Sequence, residues 1–420
     1  MIRKERLSNG LKLITESMPD VRSVSIGVWL KRGSRNEPAP INGISHFIEH
    51  LVFKGTETRS ARDISLAMDS VGGHLDAFTS KEYTCFYAKV LDTHVPMAID
   101  LLADIVQRPR FDPTELERER KVVLEEIQML QDTPDDLIYD VFCGQIYRGH
   151  VLGRPVQGTT KTVGSLTRRQ LLNFFRNSYR PQNMMVVAAG NLRHPRLLKQ
   201  VRGVFGDLTR GTVARPKPRP PRARHGCVLH SRKELSQLHL LMGLAAFPEN
   251  FARRYALFVF NAILGGTLSS RLFQKVREER GLVYSVYSSV NSFVDTGLLS
   301  IYAATRPESA REVIRVVKDE LVDLRDNGPG EEELCVAKEH LKGSLMLSLE
   351  STASRMSNLA RQEIYYSRQL SLAETLRRVD GVTRAHVRRL ARDLMRGGRL
   401  SLAAVGRVNR LRLDDRALSF

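Results

Sequence analysis

The sequence lacks any uninterrupted apolar stretch of the about eighteen residues that a bilayer-spanning helix requires, so no membrane partner is expected. Its opening residues, MIRKERLSNGLKLITE, start basic but pass into a strand-like alternation instead of an apolar core ending in small residues, so no signal peptide is expected. Cysteine is scarce: Cys85, Cys143, Cys227 and Cys335 stand apart, with no CxxC or CxxH spacing. That excludes a thiolate zinc site and gives no sign of a disulfide framework. These absences together point to a reducing, cytoplasmic location. Aromatic residues are missing among Arg388, Arg389, Arg392, Arg396 and Arg399, so the net charge of +19 has no stacking platform beside it for single-stranded nucleic acid. The surplus reads as a solvated basic surface, and no nucleic-acid partner is expected.

What is present is an ordinary globular composition, 42% apolar and 26% charged, in 420 residues. That length exceeds one core and fits two domains of about 200 residues. Residues 211–225, GTVARPKPRPPRARH, carry Pro and Arg without an apolar period and mark a linker at the midpoint. The two sides match at a nearly constant offset. Phe86-Tyr87-Ala88 corresponds to Ile301-Tyr302-Ala303 at 215 residues, and Glu115-Leu116 to Glu333-Leu334 at 218. Thr167-Arg168 corresponds to Thr383-Arg384, and the strand ending at Gly190 to the one ending at Gly406, both at 216. The chain therefore reads as a duplication, with domains at 1–210 and 226–420.

Each half opens with strands (Lys12–Glu16 and Ser23–Leu30; Gly226–His230 and Gln237–Leu244) and a helix. Further strands follow at Tyr83–Leu91 in the first half and at Tyr284–Ser289 and Gly297–Ala304 in the second, then helices and a last strand. Strands and helices arriving in runs imply an α+β fold: two homologous domains, each a mainly antiparallel sheet with packed helices, facing each other across a cleft.

One segment opposes the basic trend. Residues 111–140 hold ten acidic and three basic residues, a local net of −7. Upstream, in Ile44-Ser-His-Phe-Ile-Glu-His-Leu-Val-Phe53, the residues Ile44, Phe47, Ile48, Leu51 and Val52 form one apolar helix face. His46, Glu49, His50 and Phe53 fall on the other. Two imidazoles one turn apart can converge on a tetrahedral zinc ion, with Glu49 beside them. A helix with a merely solvated polar face would show the same pattern, so a third ligand decides. Within Asp112–Leu130 the buried stripe is Leu116, Val123, Ile127 and Leu130, and Glu119 and Glu126 lie inside it within about 20° of each other. A carboxylate so placed needs a metal or a partner. Glu125 points about 100° away and reads as solvated. Ion pairs with Arg118, Arg120 or Lys121 are the alternative use of the inward pair.

His46-Phe-Ile-Glu49-His50, followed 76 residues after His50 by Glu126 in ERKVVLEEI, resembles the pitrilysin and mitochondrial processing peptidase family. The resemblance extends over nearly the whole chain, through GGHLDAFTSKEYTCFYAK at 72–89, HVLGRPVQGT at 150–159 and ILGGTLSSRLFQKVREERGLVYSVYS at 263–288. It implies a zinc endopeptidase acting on short or unfolded peptides. One zinc ion per chain would be held by His46, His50 and Glu126, with Glu49 the general base on its bound water and Glu119 a supporting carboxylate. It further implies that Arg277 and Tyr284 reach the substrate from the second half. An extended substrate strand is expected to pair with a sheet edge at Gly73–Thr79, which contains Asp76, Ala77 and Phe78; the family often has Asn in place of Asp76. Glu82 is expected to orient a zinc-bound histidine. The length is similar to that of the processing-peptidase branch, whose members work as dimers, which implies a homodimer or a heterodimer with a paralogous subunit. In the second half the equivalent of the HxxEH stretch reads AILGGTLSSRLF, and Glu119 and Glu126 fall opposite Ala337 and Ser344. Only the first half can hold metal. A catalytically silent assembly or regulatory subunit of the same fold is the alternative.

Overall fold

The computed structural model describes residues 2–211, 219–411 and 415–420. The expected linker at 211–225 thus lies partly, at 212–218, outside the described residues. Two compact units are present.

The first unit is built on a six-stranded sheet of β1 (Ile2–Arg6), β2 (Lys12–Ser17), β3 (Ser23–Leu30), β4 (His74–Thr79), β5 (Thr84–Leu91) and β6 (Met184–Gly190). Their order is β1-β2-β6-β3-β5-β4, with β2 and β6 parallel and every other pair antiparallel. The central strands β3 and β6 are apolar on both faces because both faces are covered. Val24, Ile26 and Val28 of β3 point to a core shared with α1 (Ile44–Leu51), α2 (Ala61–Asp69) and α3 (Val95–Gln107). Trp29, with Ile14, Cys85, Met185 and Val187, packs on the reverse face against Met356, Leu359 and Ala360 of the helix Thr352–Tyr365.

The second unit repeats the plan with β7 (Cys227–Ser231), β8 (Leu238–Ala246), β9 (Val283–Ser292), β10 (Gly297–Thr305) and β11 (Ser401–Gly406), in the order β7-β11-β8-β10-β9. Its single parallel pair, β7 with β11, corresponds to β2 with β6. Leu238, Leu240, Met242 and Leu244 face one core, and Leu241 faces a second that includes Ile138, Phe142 and Ile146. These last belong to α5 (Pro134–Ile146), which follows α4 (Pro113–Asp132) after one residue. The duplication is also visible in detail. Thr167 and Thr383 both cap helices through a reciprocal side-chain box, and Gly190 and Gly406 end their strands at φ 138° and 135°. Only glycine adopts that backbone without strain.

The compact units do not follow the sequence halves. Residues 130–153 of the first half lie in the second unit, and 347–369 of the second half lie in the first. Each sheet acquires the layer on its reverse face from the other half of the sequence. Among the described residues no helix is long and apolar enough to cross a membrane.

Candidate metal centre

The helix α1 starts from Gly43, at φ 96°, where a side chain would collide with the Gln157 carbonyl oxygen. Its free amide groups are met by Glu37, whose carboxylate is 2% exposed. Glu37 Oε2 accepts from the Gly43 N–H at 2.7 Å and Asn42 Nδ2 at 2.9 Å, and Oε1 accepts from the Ser45 N–H at 2.8 Å. Burial pushes the Glu37 pKa up, against the pull of the bonds it accepts. The negative charge sits where a helix N-terminus favours it. Nothing in the local sequence pattern singles out Glu37, since it caps from outside the helix across six residues.

From this fixed start α1 buries Ile44, Phe47, Ile48 and Leu51 and turns His46, Glu49 and His50 to its half-exposed side. The two imidazole centroids are 4.7 Å apart. On α4, Leu116, Val123 and Ile127 are buried, Glu119 is 5% exposed within the same stripe, Glu126 is half-buried and Glu125 is exposed. Glu126 Oε2 lies 3.4 Å from His50 Nε2 and 3.7 Å from His46 Nε2. His50 Nδ1 faces Glu119 Oε2 at 3.2 Å, and Lys54 Nζ pairs with Glu119 Oε1 at 2.8 Å. His46 Nδ1 is buried with no hydrogen-bond partner among the described residues. Burial, with the charge of His50 as a second cause, lowers the His46 pKa to about 4, which keeps the ring neutral and able to ligate.

His46, His50 and Glu126 are the one group among the described residues whose ligand atoms, all within 4.8 Å of one another, could hold a metal ion. A tetrahedral zinc ion with bonds of about 2.1 Å needs donors about 3.4 Å apart, so the spacing fits. Two imidazole nitrogens and one carboxylate also suit zinc in type.

Glu49 receives a hydrogen bond from Thr79 Oγ1 at 2.5 Å through Oε2, while Oε1 has no partner among the described residues. Burial pushes the Glu49 pKa up to about 7, the Thr79 bond opposes it, and the charges of Asp76 and Glu126 add to the rise. Thr79 on β4 and Lys54 just past α1 belong to this constellation and were not among the expected residues. Their signal is only positional, Thr79 lying three residues after Asp76.

Glu82 does not take the place expected of it. Its carboxylate is held by Arg35 Nη1 at 2.7 Å and the Tyr365 hydroxyl at 2.8 Å, and the imidazole partner is Glu119 instead. A buried guanidinium, 8% exposed, needs a counter-charge, and Glu82 supplies it. Asp76, Ala77 and Phe78 lie on β4, at the sheet edge.

In the second unit, Arg277 sits in a π-helical turn, Phe273–Glu278, an irregularity that recurs at functional sites. Its guanidinium lies 4.8 Å over the Phe273 ring and 5.7 Å from the ring of Tyr284, which opens β9 with 76% of its surface exposed. Arg277 also borders a cavity of ≈ 690 Å³ with Gly265, Gly266, Leu268, Tyr287 and His340. The structure thus places Arg277 and Tyr284 against each other.

Comparison with known proteins bears on this geometry. The family profile described as insulinase (peptidase family M16) matches residues 12–160, and the one described as peptidase M16 inactive domain matches residues 165–341. An uncharacterized zinc protease of Mycobacterium tuberculosis is 45% identical over 400 residues, 94% of this chain and 90% of that protein. One of Bacillus subtilis is 42% identical over 394 residues, 94% and 96% of the two chains. Among solved structures, a protease from Helicobacter pylori superposes with a TM-score of 0.90 at 20% identity, covering 96% of this chain and 99% of that one. A structure from Pseudomonas fluorescens described as a peptidase M16 inactive domain also gives 0.90, at 21% identity, over 97% and 98% of the two chains.

Proposed function

The chain belongs to peptidase family M16, and we propose that it is a zinc-dependent endopeptidase that hydrolyses peptide bonds in short or unfolded polypeptides. The observation that carries this reading is the convergence of His46 Nε2, His50 Nε2 and Glu126 Oε2. Zinc bound by these three would supply Lewis acidity, acidifying water and polarising the scissile carbonyl.

Everything else is supplied by the chain's own groups. Glu49 takes the proton of the attacking water at Oε1 and returns it to the leaving amine, with Thr79 fixing the other oxygen. Glu119 holds the His50 ring in the tautomer that presents Nε2, a positioning role. Arg277 and Tyr284 are proposed to bind substrate and to steady the charge that develops on the carbonyl oxygen. The edge strand β4 offers its outer backbone side to an extended peptide, with the Ala77 N–H met there by Asp76 Oδ1 at 2.8 Å, so affinity need not depend on a folded partner.

The likeness to processing peptidases also supports a dimer, either a homodimer or a heterodimer with a paralogous subunit. Four free cysteines suit a reducing cytoplasm. The alternative, a silent subunit of the same fold, is disfavoured because His46, Glu49, His50, Glu119 and Glu126 are all in place.

The test compares wild type with Glu49→Gln on a mixture of unstructured peptides, with zinc content measured in both. The expected result is one zinc per chain in each, with cleavage by wild type and a loss of at least about a hundredfold in the variant. Cleavage that survives in the variant overturns the assignment of the base, and absence of zinc from wild type overturns the reading as a whole.

A further inference from the structure

The two imidazoles of the metal centre are not held alike. His46 Nδ1 has no hydrogen-bond partner among the described residues, whereas His50 Nδ1 faces Glu119 Oε2 at 3.2 Å. Whatever fixes the Glu119 carboxylate therefore fixes the one ring that is braced from behind. That carboxylate is 7% exposed, and a buried carboxylate needs a counter-charge. A ring that donates from Nδ1 and ligates through Nε2 is neutral, so His50 does not supply it. Arg118 and Arg120 of the same helix are turned to Glu115 and Glu117. Among the described residues the one Lys or Arg that pairs with Glu119 is Lys54, whose Nζ lies 2.8 Å from Oε1. Each oxygen of Glu119 thus has its own partner, the ammonium on one and the imidazole on the other.

Lys54 reaches Glu119 from a segment whose backbone is tied down on both sides. Just past the end of α1, its N–H donates to the Leu51 carbonyl at 3.1 Å, and the neighbouring Gly55 carbonyl accepts from the Arg110 N–H at 3.1 Å. Thr56 Oγ1 then donates to Asp104 Oδ2 at 2.6 Å. Asp104 belongs to α3, has no exposed surface, and also accepts from Thr58 Oγ1 at 2.9 Å and Arg59 Nη1 at 2.8 Å. An exposed lysine pair contributes little, because two mobile side chains must be ordered in water. Here the backbone carrying the lysine is fixed and the acceptor is out of water, where a charge-assisted bond is stronger.

We propose that Lys54 is a positioning residue of the metal centre: it holds Glu119 against His50 Nδ1, so that Lys54, Glu119 and His50 act as one brace keeping Nε2 turned to the ion. This rests on the zinc peptidase reading and adds to it a residue that is not itself a ligand. With the ammonium removed, the Glu119 carboxylate has lost one of its two anchors and can turn from the ring. His50 is then as free at its rear nitrogen as His46. Metal is held more weakly, and the whole of the loss runs through Glu119.

The test measures zinc affinity by competition with a chromogenic chelator, in the absence of substrate. It uses metal-freed wild type, Lys54→Met, Lys54→Arg, Glu119→Ala and the double variant Lys54→Met with Glu119→Ala. Lys54→Met retains the apolar stem and is expected to weaken binding about tenfold, the low end for loss of a group that orients a ligand, since Lys54 acts one bond further out. Lys54→Arg retains a cation and should recover part of that loss. In the Glu119→Ala background, Lys54→Met should cost nothing further, because residues acting through one another do not add. Unchanged zinc affinity in Lys54→Met overturns the brace. So does a further tenfold loss in the double variant, or a Lys54→Arg protein as weak as Lys54→Met, which is what a lysine serving only its own loop would give. Wild type that binds no zinc overturns the peptidase reading and the brace with it. If the coupling between Lys54 and Glu119 is found but zinc-loaded wild type cuts no unstructured peptide, the brace stands and the peptidase reading fails.

Discussion

Glu119 Oε2 lies 3.2 Å from His50 Nδ1 while the other nitrogen of the same ring lies 3.4 Å from Glu126, so one imidazole is held between two carboxylates of α4. They are seven residues apart, nearly two full turns, which lets a single helix supply both a ligand and the group that orients its neighbour. Groups that orient a ligand in this way are worth about 10- to 100-fold in metal affinity. Glu119→Ala is therefore expected to weaken zinc binding by about that factor, measured by competition with a chromogenic chelator. Glu125→Ala, one residue from the ligand but exposed, should leave zinc affinity unchanged.

The Glu37 carboxylate holds the start of the metal helix through three hydrogen bonds in a site closed to water. Glu37→Ala strands two backbone N–H groups and one of the two Asn42 amide hydrogens, the other being held by the Pro155 carbonyl at 3.1 Å. At about 1 kcal/mol or more for each unsatisfied group, the loss is about 3 kcal/mol. For a unit of about 200 residues that lowers the melting temperature by about 6–12 °C. The single tryptophan, Trp29, is buried in the same unit and reports the transition by fluorescence. Glu37→Asp, too short to reach both ends of the network, should fall between wild type and Ala.

His239 carries a pH dependence for the second unit. Its Nδ1 lies 2.8 Å from the Tyr302 hydroxyl and 3.1 Å from Asp135 of α5, on a sheet face where Tyr287 stacks on Tyr302. Burial lowers the His239 pKa, and the Asp135 carboxylate only partly offsets this. A base with a depressed folded pKa contributes stability above its unfolded value of about 6.5 and loses it as pH falls through the folded value. Urea denaturation followed by circular dichroism should show a lower midpoint at pH 5.5 than at pH 7.5. His239→Gln should reduce that difference.

The core of the site was legible in the sequence because it is local. His46, Glu49 and His50 share one helix face, and the wheel separates Glu126 from Glu125 by burial alone. Strand positions were equally readable: Ser23–Leu30 was expected and found with the same bounds, since a strand buried on both faces is a continuous apolar run. The residues that sequence reasoning missed act from outside the helix whose periodicity reveals the site. Glu37 and Thr79 meet α1 only after a loop or a strand has folded back, and Glu82, close in sequence to β4, is used by Arg35 and Tyr365. The exchange of α5 and the helix Thr352–Tyr365 between units was also hidden. An amphipathic helix shows which face it buries but not which sheet it covers.

That exchanged helix makes the last prediction. Glu363, near its C-terminus, is fully buried and accepts from Lys4 Nζ of β1 at 2.6 Å and Lys12 Nζ of β2 at 2.5 Å. Burial raises its pKa, but the two lysines outweigh that and hold it below the usual glutamate value, so the carboxylate stays charged and both strands are tied to the helix. Removing one partner of a fully buried ion pair costs about 3–5 kcal/mol. Here the lysines are 39% and 25% exposed and can recover water, so about 1–2 kcal/mol is the expected loss for Glu363→Ala. The effect should be local. Hydrogen exchange should quicken across residues 352–365 and in β1, the edge strand that among the described residues pairs only with β2, and remain unchanged in α5, which packs on the other sheet. Equal quickening in both helices would mean that the two units lose structure together and that Glu363 is not a local fastening. Glu363→Gln separates charge from hydrogen bonding: it retains an acceptor for one lysine, so its exchange rates should lie closer to wild type than those of the Ala variant.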